Sequence, residues 1–319
     1  MKKLFFTLAV TFAASTIAGI TTRIEFEAPE AYPEGIAFDA KANVYYVSSA
    51  RMGTIGKVTP DGQYSALYKD AGLKSSYGLK MHPDGKRLFA CISDANYSKL
   101  TSPDTKKKMI RLISIDVRSG KKLSDVDLSG LFNGKHFGND LTFDNKGNAY
   151  VTDSFSNVIY KVDSKGKASL FAQSDMFKTA GVGLNGIAWN PDGYLLVDSS
   201  GAGCIFKIEI SNPTNITRVK TDKFFLGADG LLMNDKNTLT LVQNGGTNVI
   251  YQIQSTDGWK SATVKSATMS GDRFTYPSTA TANKKDIWIM NAKFNELNDS
   301  TSVPSKKFAI QKAVFQPVK

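Results

Sequence analysis

A six-residue frame recurs along the chain and limits what it can fold into. It appears as Glu34-Gly-Ile-Ala-Phe-Asp39, Tyr77-Gly-Leu-Lys-Met-His82, Asn139-Asp-Leu-Thr-Phe-Asp144, Asn185-Gly-Ile-Ala-Trp-Asn190 and Asp229-Gly-Leu-Leu-Met-Asn234, with a degraded sixth copy opening at Tyr276-Pro277. Successive copies start 43, 62, 46, 44 and 47 residues apart. A repeat of this length, with one insertion, marks an array of like units and not two unrelated domains. The third and fifth positions are apolar in the first five copies, as a buried strand of period two requires.

Each frame opens the same syntax of short strands joined by turns rich in Asp, Asn and Gly. The third repeat shows it most clearly, in Leu141-Thr-Phe143, Ala149-Tyr-Val151, Asn157 to Val162 and Ala168 to Phe171. Four strands in each of six repeats, with almost no helical period, predict an all-β fold: a six-bladed β-propeller of four-stranded blades. The sixth repeat is one strand short, whereas a lone alternating segment, Arg23-Ile-Glu-Phe-Glu27, precedes the first. Pairing that N-terminal strand outside the last blade closes the ring and leaves no open radial gap. Residues 20–319 are therefore read as a single domain.

The first nineteen residues read differently. Lys2 and Lys3 precede a short apolar run, Leu4 to Val10, and small residues follow through Gly19, the pattern of a cleaved secretory signal. Residues 1–19 are expected to be removed on export to a periplasm or beyond, leaving no integral membrane segment. Two cysteines, Cys91 and Cys204, fall at different positions of different repeats and are expected as buried free thiols. Two histidines leave almost no room for a zinc site of His and Cys. The net charge of +11 comes from lysines scattered through loops, a solvated surface without any nucleic-acid motif.

The leading position of the frame does not follow a packing pattern. In a propeller the first strand of each blade lines the central channel, so these positions converge on one axis. Glu34, Asn139, Asn185 and Asp229 would bring two carboxylates and two amide oxygens together, without nitrogen or sulfur donors. Such a ring suits a hard divalent cation, Ca²⁺ foremost, which takes six to eight oxygens. Two carboxylates in a narrow channel would otherwise repel one another. Asp140 or water could complete the shell. Tyr77 and Tyr276, from the blades that offer no ligand, are expected to wall the site and touch substrate, as is Asn139.

Pro33-Glu34-Gly35, Gly138-Asn139-Asp140, Leu184-Asn185-Gly186-Ile187-Ala188-Trp189 and Ala228-Asp229-Gly230 resemble the signature of the senescence marker protein/gluconolactonase family, whose wider relatives include paraoxonase, diisopropyl-fluorophosphatase and strictosidine synthase. The resemblance spans about residues 30–300. It implies a six-bladed propeller carrying one divalent ion over the channel, held by Glu34, Asn139, Asn185 and Asp229. It implies metal-assisted hydrolysis of a lactone or related ester, with Asp229 as first candidate and Asp140 as second for activating water or attacking directly. The chain departs from these relatives at Phe137, where lactonases of the family often carry Arg. It also lacks the second-blade His dyad of paraoxonase: His82 reads as a turn residue and His136 as a loop residue. A non-catalytic propeller with a structural ion is the alternative.

Strand direction adds one expectation. Loops between second and third strands emerge on the metal side, and two of them are long, Asp94 to Lys108 and Ala292 to Lys307. They should overhang the mouth and control access. Lysines 106–108 would then suit an anionic small-molecule substrate.

Overall fold

The computed structural model describes residues 22–318, so the leader expected over 1–19 lies outside the described residues. Six antiparallel sheets form the blades of a propeller. Their innermost strands are Ile36–Asp39, Ser75–Met81, Gly138–Phe143, Leu184–Asn190, Ala228–Asp235 and Pro277–Asn283. In blade three the order from hub to rim is Gly138–Phe143, Ala149–Asp153, Val158–Val162 and Ala168–Gln173. The inner two strands are buried throughout and the outermost is mostly exposed. Helical structure among the described residues is confined to short 3-10 turns.

The ring closes as the strand count requires. Arg23–Glu27 pairs antiparallel with Lys307–Lys312, in register from Arg23 opposite Gln311 to Glu27 opposite Lys307. Two additions were not legible beforehand, and both fall on blade five. Lys220–Thr221 runs parallel to its outer strand, and Gln316–Pro317 pairs with Ser266 and Ala267. Six apolar clusters hold the blades together; five are each shared by two neighbours, and the sixth joins blades six and one and extends to Tyr77 and Phe137. Leu79, Leu88 and Ala90 of blade two, for example, pack with Ala37, Val44 and Tyr46 of blade one. Cys91 and Cys204 are buried free thiols in blades two and four.

The frame's glycines sit where adjacent blades approach most closely. A Cβ on Gly35 would lie 2.2 Å from the Tyr77 carbonyl oxygen, and one on Gly186 would lie 2.3 Å from that of Asp229. Gly78 and Gly230 meet the next blade in the same way, at 2.6 Å from the Asn139 oxygen and 2.7 Å from that of Ser278. Just here the ladder between first and second strands skips: from Ser76 to Leu79, Gly138 to Leu141, Leu184 to Ile187, Ala228 to Leu231 and Pro277 to Ala280. The first two frame positions thus lie inside a β-bulge, which turns the leading side chain out of the pleat and toward the axis.

This register corrects the sixth copy. Pro277 occupies the place of Gly138, Leu184 and Ala228, so the sixth leading residue is Ser278 and not Tyr276. The bulge there contains Ser278 and Thr279, with no glycine to announce it.

Substituting Gly186→Ala should lower stability by about 1–3 kcal/mol in urea unfolding, because the methyl must displace the backbone of blade five. Gly130→Ala, where nothing lies within 4 Å of the added atom, should stay within about 0.5 kcal/mol. Equal losses at the two sites would show that hub contact does not select the glycine.

Candidate metal centre at the hub of the ring

Glu34, Asn139, Asn185 and Asp229 arrive from four blades and line one cavity of about 240 Å³. Their exposures are 4%, 3%, 6% and 8%. Each is aimed by neighbours that leave an oxygen free. The Glu34 and Gly35 amides donate to Ser48 Oγ, and Thr279 Oγ1 donates to Glu34 Oε1 at 3.2 Å. Asn139 Nδ2 donates to Ser154 Oγ at 2.9 Å, and Asn185 Nδ2 to Ser200 Oγ at 3.1 Å. Asn244 Nδ2 donates to Asp229 Oδ2.

What remains is informative. Glu34 Oε2, Asn139 Oδ1 and Asn185 Oδ1 are buried and have no hydrogen-bond partner among the described residues. An acceptor left in that state costs about 1–3 kcal/mol, and these three line one cavity. The charges point the same way. Burial, then the Asp229 and Asp140 carboxylates, hold Glu34 well above the usual range, against the opposing bond from Thr279. Burial and the Asp140 charge push Asp229 up to about 8, with Asn244 and Asn185 pulling it down. Oxygen donors that lack protons to face, in an acidic dry cavity, fit a hard divalent cation. Among the described residues no three His, Cys, Asp or Glu side chains gather into a metal site; here two of the four donors are amides.

Asp140 does not join that wall. It lies deeper, with Oδ1 accepting from the Leu141 amide at 2.8 Å and Oδ2 from the Ile187 amide at 3.4 Å. Its carboxylate is committed to backbone donors, which removes it as nucleophile or water activator. Asp198, fully buried nearby, went unnoticed in the sequence. Both of its oxygens lack partners among the described residues, and burial followed by the Asp229 and Asp140 charges raises its proton affinity strongly.

The aromatic wall differs from expectation in one member. Tyr276 lines the cavity, but Tyr77 is fully buried behind Phe137, edge-on at 4.6 Å between ring centroids. Phe137, at the position where Arg was missed, is itself the wall. The two long loops supply the rest. Asn96 and Tyr97 come from one and Phe294 from the other, all three lining the cavity. The Tyr97 and Phe294 rings meet at 5.1 Å, and Tyr97 Oη donates to Asn298 Oδ1 at 3.4 Å. Loop length gave the approach, whereas the aromatic identities within it could have named these residues and were passed over.

Lysines 106–108 turn elsewhere. Lys107 Nζ lies over the Phe155 ring at 5.4 Å, Lys108 Nζ donates to the Pro103 carbonyl, and none of the three lines the cavity. The wall holds no Lys or Arg among the described residues. His136 is also structural: its Nδ1 is 2.7 Å from Asp153 Oδ2, and Asp153 Oδ1 accepts from the Phe137 amide at 2.8 Å. That pair fixes the segment carrying Phe137. His82 packs edge-on to Phe143, near Arg87 and Asp84 and away from the hub. A more open depression of about 320 Å³ between blades three and four carries no carboxylate.

No protein-family model matches the sequence, and no curated protein matches it. Solved structures do resemble the fold. The major Malassezia sympodialis allergen Mala s 1 superposes with a TM-score of 0.74 at 18% identity, over 93% of this chain and 97% of that one. Luciferin-regenerating enzyme gives 0.61 at 14% identity, over 93% and 99%. A protein assigned as a gluconolactonase gives 0.56 at 16% identity, over 95% of both chains. These likenesses establish a shared six-bladed propeller.

Glu34 and Asp229 bind protons more tightly folded than unfolded. Without divalent ions, the stability Asp229 contributes is full below about pH 4 and is lost as pH rises through about 8, and Glu34 acts in the same direction. Thermal unfolding in chelator should therefore fall across that window, and Asp229→Asn should flatten much of the fall. Excess Ca²⁺ should raise the midpoint most at pH 8. A flat profile in chelator would mean that these carboxylates ionise without penalty.

Proposed function

We propose that the protein is an exported, divalent-cation-dependent hydrolase of the gluconolactonase type, acting on a small uncharged lactone or related ester. One observation carries the reading: unpartnered oxygens of Glu34, Asn139 and Asn185, with the Asp229 carboxylate, face one aromatic-walled cavity. Those four side chains would hold the ion, and their all-oxygen composition favours Ca²⁺. A divalent cation held there stabilises negative charge developing on a carbonyl oxygen. Likeness of fold to a gluconolactonase-assigned protein and to luciferin-regenerating enzyme supports an enzyme of this broad kind. The basic and apolar leader pattern of residues 1–19 supports secretion or a periplasmic location.

The protein's own residues supply the remainder. Asp229, whose carboxylate lines the cavity, is the proton acceptor for the attacking water. Tyr97, Phe137, Tyr276 and Phe294 hold the apolar part of the substrate and exclude water from the acidic floor. The acidic floor and the lack of basic residues in the wall replace the anionic substrate expected from lysines 106–108 with a neutral one.

A non-catalytic ligand-binding propeller with a structural ion is favoured by a single feature. Among the described residues the wall has no His, Lys or Arg to protonate a leaving group. A panel of lactones and aryl esters, with Ca²⁺, Mn²⁺, Zn²⁺ or chelator, separates the two readings. Hydrolysis should vanish in chelator and in Glu34→Gln, and uncharged substrates should exceed carboxylate-bearing analogues of similar size. Tight metal binding with no turnover across the panel would establish the binding module. In an active enzyme, Tyr97→Ala with Phe294→Ala should raise KM about tenfold or more and change kcat less, because those rings position substrate without touching the cation donors.

A further inference from the structure

The side chain fifteen residues after the leading position has a shared role in blades three, four and five. It is Ser154 after Asn139, Ser200 after Asn185 and Asn244 after Asp229. Each contacts its own blade's leading side chain and the backbone of the next blade. Ser154 Oγ accepts from Asn139 Nδ2 and donates to the Leu184 carbonyl at 2.5 Å. Ser200 Oγ accepts from Asn185 Nδ2 and donates to the Ala228 carbonyl. Asn244 Nδ2 donates to Asp229 Oδ2 and to the Pro277 carbonyl at 3.1 Å. Leu184, Ala228 and Pro277 are the residues immediately before the next leading positions. A bond of a different kind joins blades six and one, where the leading Ser278 Oγ itself donates to the Glu34 carbonyl at 2.6 Å.

A serine hydroxyl has one proton. In Ser154 and Ser200 that proton is committed to the next blade's carbonyl, so only lone pairs face the asparagine. A lone pair accepts the amide NH₂ and repels the amide oxygen. The oxygen must therefore turn to the channel, where Asn139 Oδ1 and Asn185 Oδ1 are found without partners among the described residues. The opposite orientation would present NH₂ groups to the hub and suit an anion.

We infer that Ser154 and Ser200 are positioning residues that set the polarity of the hub, forcing both amides to present oxygen, and that with Asn244 they tie that polarity to the spacing between blades. Outer hydrogen bonds of this kind typically change metal affinity 10- to 100-fold when lost. The cation-binding consequence rests on the hub-cation reading above; the coupling between amide and serine does not.

Two measurements keep these apart. Titration with Ca²⁺ alone should show affinity weakened about 10-fold or more in Ser154→Ala, with recovery in Ser154→Thr, which restores a hydroxyl and not merely volume. In chelator, Asn139→Asp places a carboxylate against the serine lone pairs. Its drop in Tm should be at least halved in the Ser154→Ala background, although its repulsion by the other hub carboxylates is the same in both. A wild-type protein that binds no divalent ion would overturn the cation reading, while the chelator cycle would still decide the coupling. An equal Tm drop in both backgrounds, or Ser154→Ala binding Ca²⁺ as the wild type does, overturns the inference.

Discussion

Six inner strands converge so tightly on one axis that four frame glycines have no room for a Cβ. Everything at the hub follows from that crowding. It buries whatever occupies the leading position, and in four blades the occupant is a carboxylate or amide side chain. Burial of this kind is tolerated when each acceptor faces a donor or a cation. The structure satisfies the amide NH₂ groups and one oxygen each of Glu34 and Asp229 from within, yet leaves the oxygens facing the cavity to something else. Left to itself the hub concentrates unfavourable electrostatics, which the divalent ion proposed above would relieve.

The mouth works on different physics. Tyr97, Phe137, Tyr276 and Phe294 enclose the approach with rings, and the two long loops make contact over it. An acidic, oxygen-rich floor thus lies under an apolar rim, so the two ends of the cavity differ in polarity. Phe137 is central because it meets the cavity, Tyr77 and Phe155 at once. The buried His136–Asp153 pair holds its backbone.

The blade count, the four cavity-facing ligand candidates and the closing strand could be read from sequence because each is imposed by a periodic constraint. Apolar residues at positions three and five, glycine at position two and a strand surplus at Arg23–Glu27 all have steric causes that recur. The sixth frame was misread because Ser278 and Thr279 fill its bulge without glycine, and the more conspicuous Tyr276-Pro277 drew the register two residues early. Asp140 looked like a ligand because sequence cannot show that its oxygens are taken by the Leu141 and Ile187 amides. Tyr77 does not reach the wall because Phe137 stands between it and the cavity. Lysines 106–108 were placed on the right loop, but direction within a loop depends on contacts such as that with Phe155. Ser154, Ser200 and Asn244 are common turn residues whose meaning lies only in their shared spacing.

The closing strand has a consequence for how the molecule comes into being. The edge of Lys307–Lys312 finds its partner in Arg23–Glu27, across almost the whole length of the chain. A ribosome delivers the first of these segments long before the second, so the final gap stays open until Lys307–Lys312 has been made. Contacts at such separation slow folding, and an unpaired strand edge invites foreign strands meanwhile. The sixth wedge is therefore where assembly is slowest and where a nascent chain is most exposed to going astray.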